Sequence, residues 1–231
     1  MFYDGRKAVF IDYESEQIAS FTLPDGLIAI RLSGGLDSTT LFYTICKYIT
    51  DLDLDIEIIP IHGVCKELWN SLKITQSIVD DVMLKYPNVK IRDLELYNFD
   101  SSKSKIKIPA TQAFNKKMYE KYPELKLIIT AFTSLPSYEV VNKWKCGFNH
   151  KRVRKEFDIH QINEDGTYVF HPFAKCDKKI IASIFNYLKL PKRYLDDTWS
   201  CTFYSHQTKN FTKPCCSCYH CWEKKWAFGQ F

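Results

Sequence analysis

Long apolar runs are missing from this chain of 231 residues, and nothing in it approaches the roughly 20 residues that a membrane-spanning helix needs. The first ten positions put Asp4, Gly5, Arg6 and Lys7 where a secretory leader would carry its apolar stretch, so no leader is expected and the protein reads as soluble and cytoplasmic. Massed charge is missing as well. The formal net charge is +5, with the basic residues scattered rather than gathered in one arm, which points to a solvated surface before a nucleic-acid groove. Internal repeats and low-complexity tracts are absent, which excludes a solenoid. What remains is ordinary globular material: apolar residues make up 45% of the chain, enough for one sizeable core, or one core with a small appendage.

The most informative stretch is Ser33-Gly34-Gly35-Leu36-Asp37-Ser38, which follows the apolar run Leu27-Ile28-Ala29-Ile30 and precedes a helix-like segment from Thr39 to Tyr48. Adjacent glycines let the backbone approach a polyanion and adopt positive φ, while the first N–H groups of a following helix and its positive dipole end supply donors. A pyrophosphate fits such a loop. The lysine of the GxxxxGK(S/T) motif, which reaches the β and γ phosphates, is absent, so γ-phosphoryl transfer is not expected. The loop resembles the SGGxDS loop of the PP-loop ATP pyrophosphatase superfamily, whose members attack the α-phosphate and leave pyrophosphate in the glycine loop.

Along the chain, Ala8–Ile11 and Ile18–Leu23 read as a hairpin turning near Asp12 to Glu16. Strand candidates Leu27–Leu32, Ile56–Ile61, Val89–Leu96 and Leu127–Phe132 then alternate with helix candidates Thr39–Ile49, Glu67–Lys85 and Thr111–Lys121. Such alternation predicts a doubly wound α/β fold around a mainly parallel sheet, with the ligand beyond the carboxyl ends of the strands. Asp100–Pro109, with Lys103, Lys105 and Lys107, reads as a loop that moves when empty. A strand-like piece ends at Val169-Phe170-His171-Pro172, and Asp177 is placed to cap a helix running to about Leu188. Residues 1–198 form the expected nucleotide-binding domain with its hairpin, and residues 199–231 a metal-binding tail.

Nine cysteines are present. Cys201, Cys215, Cys216, Cys218 and Cys221 crowd the tail, and clustered cysteines in an intracellular chain suggest metal before disulfides. Cys215-x2-Cys218-x2-Cys221 can converge on one ion, and Cys201 closes a tetrahedral set typical of structural zinc. Lys224 and Lys225 stand where they would offset the charge of four thiolates. Cys216 occupies a knuckle position that usually wants glycine, His206 and His220 are substitutes for Cys201, and an iron–sulfur cluster is the other reading of the same thiolates.

The loop near one end and the cysteine tail near the other together resemble the 7-cyano-7-deazaguanine synthase family of deazapurine biosynthesis. Ser33, Gly34, Gly35, Asp37, Ser38 and Thr39 match its SGGxDST loop, Pro172, Asp177 and Lys178 a later proline-led turn, and Trp199-Ser200-Cys201, Cys215, Cys218, Cys221 and Ala227-Phe228 its tail. The resemblance implies a PP-loop (HUP-like) doubly wound sheet, often dimeric, with Zn2+ in the tail and ATP with Mg2+ at the loop. The implied reaction converts a 7-carboxy-deazapurine and ammonia, through an adenylated carboxylate and an amide, to a nitrile. Leu32, Ser33, Gly34, Gly35, Leu36, Asp37, Ser38 and Thr39 are then the nucleotide-binding set, with Asp37, Ser38 and Lys178 the catalytic candidates. Lys178 would help stabilise the leaving pyrophosphate, and Asp37 would cap the helix or hold Mg2+.

The middle departs from that family. Ile61-His62-Gly63-Val64-Cys65-Lys66 keeps only the glycine of the family's signature after the second strand. Pro109–Asn115 has no counterpart to its Phe-x-Pro-Gly-Arg-Asn segment, and Ala131–Pro136 replaces an Asp-rich stretch. A PP-loop enzyme acting on tRNA, by thiolation or amidation, is the second reading, supported by the net positive charge and Lys103 to Lys107. A zinc-knuckle binding module is the third, with Tyr204, Phe211, Tyr219 and Trp222 as base-stacking candidates, although such aromatics more often fill the core around a small metal site. A small-molecule partner is therefore expected before nucleic acid. No Cys-led amidotransferase segment is visible, so free ammonia or another chain must supply nitrogen.

Overall fold

The computed structural model describes residues 1–64, 69–98, 107–144, 158–163, 166–198 and 215–231. The chain opens with a small antiparallel sheet of β1 (Phe2–Asp4), β2 (Lys7–Asp12) and β3 (Gln17–Phe21). The expected hairpin is β2–β3, and β1 extends it by a strand that the sequence did not announce. Phe10 and Phe21 point inward and stack at 6.3 Å. Phe21 also meets the Tyr48 ring edge-on at 5.2 Å, which joins this sheet to the main core.

The main sheet contains β4 (Gly26–Arg31), β5 (Ile56–Val64), β6 (Lys90–Ile91), β7 (Glu95–Asn98), β8 (Leu127–Ile129), β9 (His160–Ile162) and β10 (Tyr168–Phe170). Its order is β6-β5-β4-β8-β10-β9, with β7 beside the far end of β5; every pairing is parallel except β9 with β10. The order reverses between β4 and β8, which opens a crevice at their carboxyl ends.

The helices are α1 (Leu36–Leu52), α2 (Trp69–Lys85), α3 (Lys107–Lys121), α4 (Tyr138–Asn142), α5 (Lys178–Tyr187), α6 (Arg193–Asp197) and α7 (Tyr219–Phe228). Strand residues alternate between the two faces of the sheet. Ile28, Ile30, Ile58 and Ile129 pack with buried residues of α1, α2 and α5, and Leu27, Ala29, Ile59 and Ile128 pack with Met118 of α3. Helices thus cover both faces, as the alternation of elements predicts. Among the described residues no helix is long and apolar enough to cross a membrane.

Helix α1 and strand β5 run about three residues beyond the expected bounds, and three other boundaries differ from expectation. Val89–Leu96 is two strands, because the Arg92 amide donates to the Ile58 carbonyl (2.8 Å) and the next position on that edge of β5 is Pro60, which has no N–H to give. Helix α3 begins at Lys107 with Pro109 in its first turn, where a missing N–H interrupts nothing. Strand β8 stops at Ile129, and the chain that follows it becomes a wall of the crevice. The rest of the Asp100–Pro109 loop lies outside the described residues.

Candidate active site

Leu32 leaves β4 with its amide on the Ile61 carbonyl (2.7 Å), and the loop Ser33–Ser38 then folds on itself. Ser38 Oγ accepts the Ser33 amide (3.1 Å) and donates to the Gly35 carbonyl (3.0 Å), while the Gly35 amide donates to Ser33 Oγ (3.2 Å). Thr39 Oγ1 donates to the same Gly35 carbonyl (2.9 Å). Helix α1 therefore starts on Gly35, which has no side chain to cap it, and the amides of Leu36, Asp37 and Ser38 precede any i−4 carbonyl of their own helix. This is an open, positively polarised helix end. Asp37 does not cap it, contrary to one of the two roles expected of it.

Gly34 has φ +75°, and a Cβ built there would lie 3.3 Å from both the Ser71 carbonyl and Thr75 Oγ1 of α2. Gly34→Ala combines that close approach with a left-handed backbone that costs an alanine about 1–2 kcal/mol, so nucleotide affinity is expected to fall at least about tenfold. Titration with a non-hydrolysable ATP analogue checks this, and an unchanged dissociation constant would remove the loop from the nucleotide site.

Beneath the loop lies a residue that sequence reasoning passed over. His62, at the end of β5, is 1% exposed; its Nδ1 lies 2.8 Å from the Leu32 carbonyl and its Nε2 3.1 Å from Ser71 Oγ. Burial pushes its pKa down, so the ring is neutral, with Nδ1–H donating to Leu32 and Nε2 accepting from Ser71. A histidine closing the apolar run Ile58–Ile61 was the available signal.

Lys178 enters from the opposite wall. Asp177 caps α5 by accepting the Lys179 amide (2.8 Å), and its own amide donates to Gln17 Oε1 of β3 (2.7 Å), which fixes the first turn of α5. The Lys178 side chain, 4% exposed, sits 3.1 Å from Asp37 Oδ2 and 3.4 Å from Oε2 of Glu223 on α7, a carboxylate with no exposure at all. His220 Nδ1 is 3.8 Å from the same Glu223 oxygen. Asp37 Oδ1 is buried without a hydrogen-bond partner among the described residues, an oxygen suited to a hard cation such as Mg2+. The crevice enclosed by the loop, Thr130–Thr133, Arg31, Lys178 and His220 has a volume of about 260 Å³. Of the expected nucleotide and catalytic set, Ser33, Gly35, Leu36, Asp37, Ser38 and Lys178 line it. Leu32, Gly34 and Thr39 support it from behind through the contacts described above. Arg31 and Glu223 join the site without having been anticipated.

In the tail, the sulfurs of Cys215, Cys218 and Cys221 lie within 4.8 Å of one another, Cys215 and Cys221 at 3.9 Å. Thiolates sharing one tetrahedral ion at a metal–sulfur distance of about 2.3 Å stand roughly 3.8 Å apart, so the three sulfurs could converge on a single metal ion. The Cys218 amide donates to Cys215 Sγ (3.3 Å), as in a tight knuckle. Cys216 is exposed with φ +54°, the left-handed conformation in which glycine is usual. His220 faces Glu223 and the crevice and is not in the sulfur group; Cys201 and His206 lie outside the described residues. Lys224 donates to the Leu195 carbonyl and also interacts electrostatically with Cys221 and Cys216, and Lys225, over the Trp222 and Phe231 rings, interacts with Cys216. Tyr219 packs on Trp144 (5.1 Å) and Trp222 on Phe231 (5.5 Å), which places both in the packing of the tail; Tyr204 and Phe211 lie outside the described residues.

No protein-family model and no curated protein matches the chain. Among solved structures it is similar to the U34-tRNA thiolase NcsA of Methanococcus maripaludis, described with its 4Fe-4S cluster, at a TM-score of 0.42 and 10% identity over 71% of this chain. The match spans 56% of that thiolase chain. It is also similar to NAD+ synthetase of Burkholderia pseudomallei, at a TM-score of 0.41 and 12% identity over 89% of this chain and 74% of that one.

Proposed function

We propose that the protein is an ATP-dependent adenylating enzyme that releases AMP and pyrophosphate, and that the group it activates is the carboxylate of a deazapurine acid. The observation that carries this reading is the uncapped start of α1 behind the Gly34-Gly35 loop, at the point where the sheet order reverses, with no Walker lysine in it. The three first amides of α1 receive the β and γ phosphates as they leave, so charge that develops on pyrophosphate meets donors already in place. Lys178 adds a cation on the opposite side. Mg2+, held by Asp37, would neutralise phosphate charge.

In the first step a carboxylate oxygen attacks the α-phosphorus, the bridging bond to the β-phosphate breaks, and pyrophosphate leaves. Ammonia then attacks the acyl carbon, the bond to AMP breaks, and an amide forms with loss of a proton. The amide oxygen then attacks the α-phosphorus of a second ATP, pyrophosphate leaves and nitrogen loses one proton, and departure of AMP with the other amide proton gives the nitrile. One zinc, held by Cys201, Cys215, Cys218 and Cys221, completes the reading of the tail.

A second reading, modification of tRNA through the same adenylation chemistry, draws on the basic residues Lys145, Lys151, Arg152, Arg154 and Lys155 in addition to Lys103, Lys105 and Lys107. Labelled ATP incubated with 7-carboxy-7-deazaguanine and ammonium, and separately with tRNA, tests both. AMP and pyrophosphate are expected, with consumption of the acid. Exclusive release of ADP and phosphate would overturn adenylation, and turnover with tRNA alone would favour the second reading.

A further inference from the structure

Strand β4 lies between β5 and β8 and ends on Arg31, so a guanidinium stands at the middle of the sheet, on the face that carries Leu27, Ala29 and α3. One of its terminal nitrogens donates to Asn115 Oδ1 and its carbon lies 5.9 Å from the centre of the Tyr97 ring. Its Nε is buried and has no hydrogen-bond partner among the described residues, and no ion pair joins it to a carboxylate there. Lys178 in the same crevice is different, because Asp37 and Glu223 both offset its charge. Nearby His171 does not compensate either: burial and then the Arg31 charge push its pKa down to about 4, leaving a neutral ring.

A desolvated guanidinium stays charged, and a charge withdrawn from water without an opposite charge beside it is costly. An anion that enters the crevice removes that cost. In this reading the leaving phosphates have the α1 amides and Lys178, whereas Arg31 also lines the crevice and has one N–H without a partner among the described residues. A planar carboxylate matches the edge of a guanidinium, and two nearly parallel hydrogen bonds, one to each oxygen, would hold it while leaving a lone pair on one oxygen for the attack on phosphorus.

We propose that Arg31 is the residue that binds the acceptor's carboxylate, so that the crevice holds two anions by separate means: nucleotide phosphates on α1 and the acceptor on Arg31. This rests on the adenylation reading and specifies its acceptor side. The alternative source of the anion, the α-phosphate of ATP, is separated by the experiment.

Arg31→Met and Arg31→Lys are compared with the unaltered protein in three measurements. These are binding of a non-hydrolysable ATP analogue, pyrophosphate exchange driven by 7-carboxy-7-deazaguanine, and exchange driven by the corresponding 7-carboxamide. Nucleotide affinity should stay within about twofold, while KM for the acid rises at least about tenfold, as loss of a hydrogen bond to a charged group implies; KM for the neutral amide should move far less. A parallel loss of nucleotide affinity would assign Arg31 to the α-phosphate and overturn the proposal, as would equal rises for acid and amide. Nucleotide binding with exchange driven only by neutral acceptors would overturn it while leaving adenylation standing. Failure of the unaltered protein to bind the analogue would remove the adenylation reading itself, and the Arg31 assignment with it.

Discussion

Lys178→Met is expected to lower AMP formation by about a hundred- to a thousandfold, the range seen when one pre-aligned donor to developing charge is removed, and to destabilise the fold. Both effects follow from its position. The ammonium separates Asp37 and Glu223, and Glu223 has no exposure through which water could replace it. Removing one partner of a buried ion pair costs about 3–5 kcal/mol. The two effects can be parted with a second substitution. Lys178→Met with Glu223→Gln removes the buried charge along with its partner, so melting temperature should recover substantially while turnover does not. Thermal denaturation and AMP production, read on the same preparations, check the pair. More than about a tenth of normal turnover in Lys178→Met would exclude Lys178 from the transition-state machinery.

Cys218→Ser should empty the tail of metal and unfold it. Cys218 is fully buried, supplies one of three converging sulfurs and stands at the N-cap of α7, so a metal held there would be tied to the helix that carries Glu223. Zinc bound to a four-thiolate peptide contributes about 10–16 kcal/mol of apparent binding energy, which is folding energy for the segment that holds it. Metal per chain should fall from one equivalent to near zero, and turnover should fall with it because Glu223 loses its place beside Lys178. The core of β4, β5 and β8 with α1 and α3 should survive in the circular dichroism. Cys216→Gly is the control: it relieves a left-handed cysteine worth about 1 kcal/mol and should keep the metal. Visible absorption separates zinc, which has a filled d shell and none, from an iron–sulfur cluster. Metal retained in Cys218→Ser, or lost in Cys216→Gly, would refute the assignment.

The elements that the sequence made legible are those that depend on near neighbours. Leu27–Ile30 followed by Gly34-Gly35 announced strand, loop and helix together, and Asp177 announced α5, because turn and cap chemistry act within a few residues. What stayed hidden depends on partners distant in sequence. The break in Val89–Leu96 is caused by Pro60 on another strand. Glu223, flanked by Trp222, Lys224 and Lys225, looks like one turn of a charged surface helix until α7 packs beside α5. Arg31 was visible as a charge closing an apolar run, but the cleft it lines is built equally from Thr130–Thr133, which no local pattern brings to it.

The hydrogen bonds inside the Ser33–Thr39 loop join residues at most five positions apart. Lys178 and Glu223 are 45 positions apart, and strands β5 to β10 lie between Asp37 and Lys178 in the chain. Closing short segments costs less chain entropy than closing long ones. The hydrogen bonds internal to the loop are therefore expected to form before the contacts of Lys178 with Asp37 and Glu223. The loop's own hydrogen bonds then do not depend on the ammonium, and they should persist in the Lys178→Met protein.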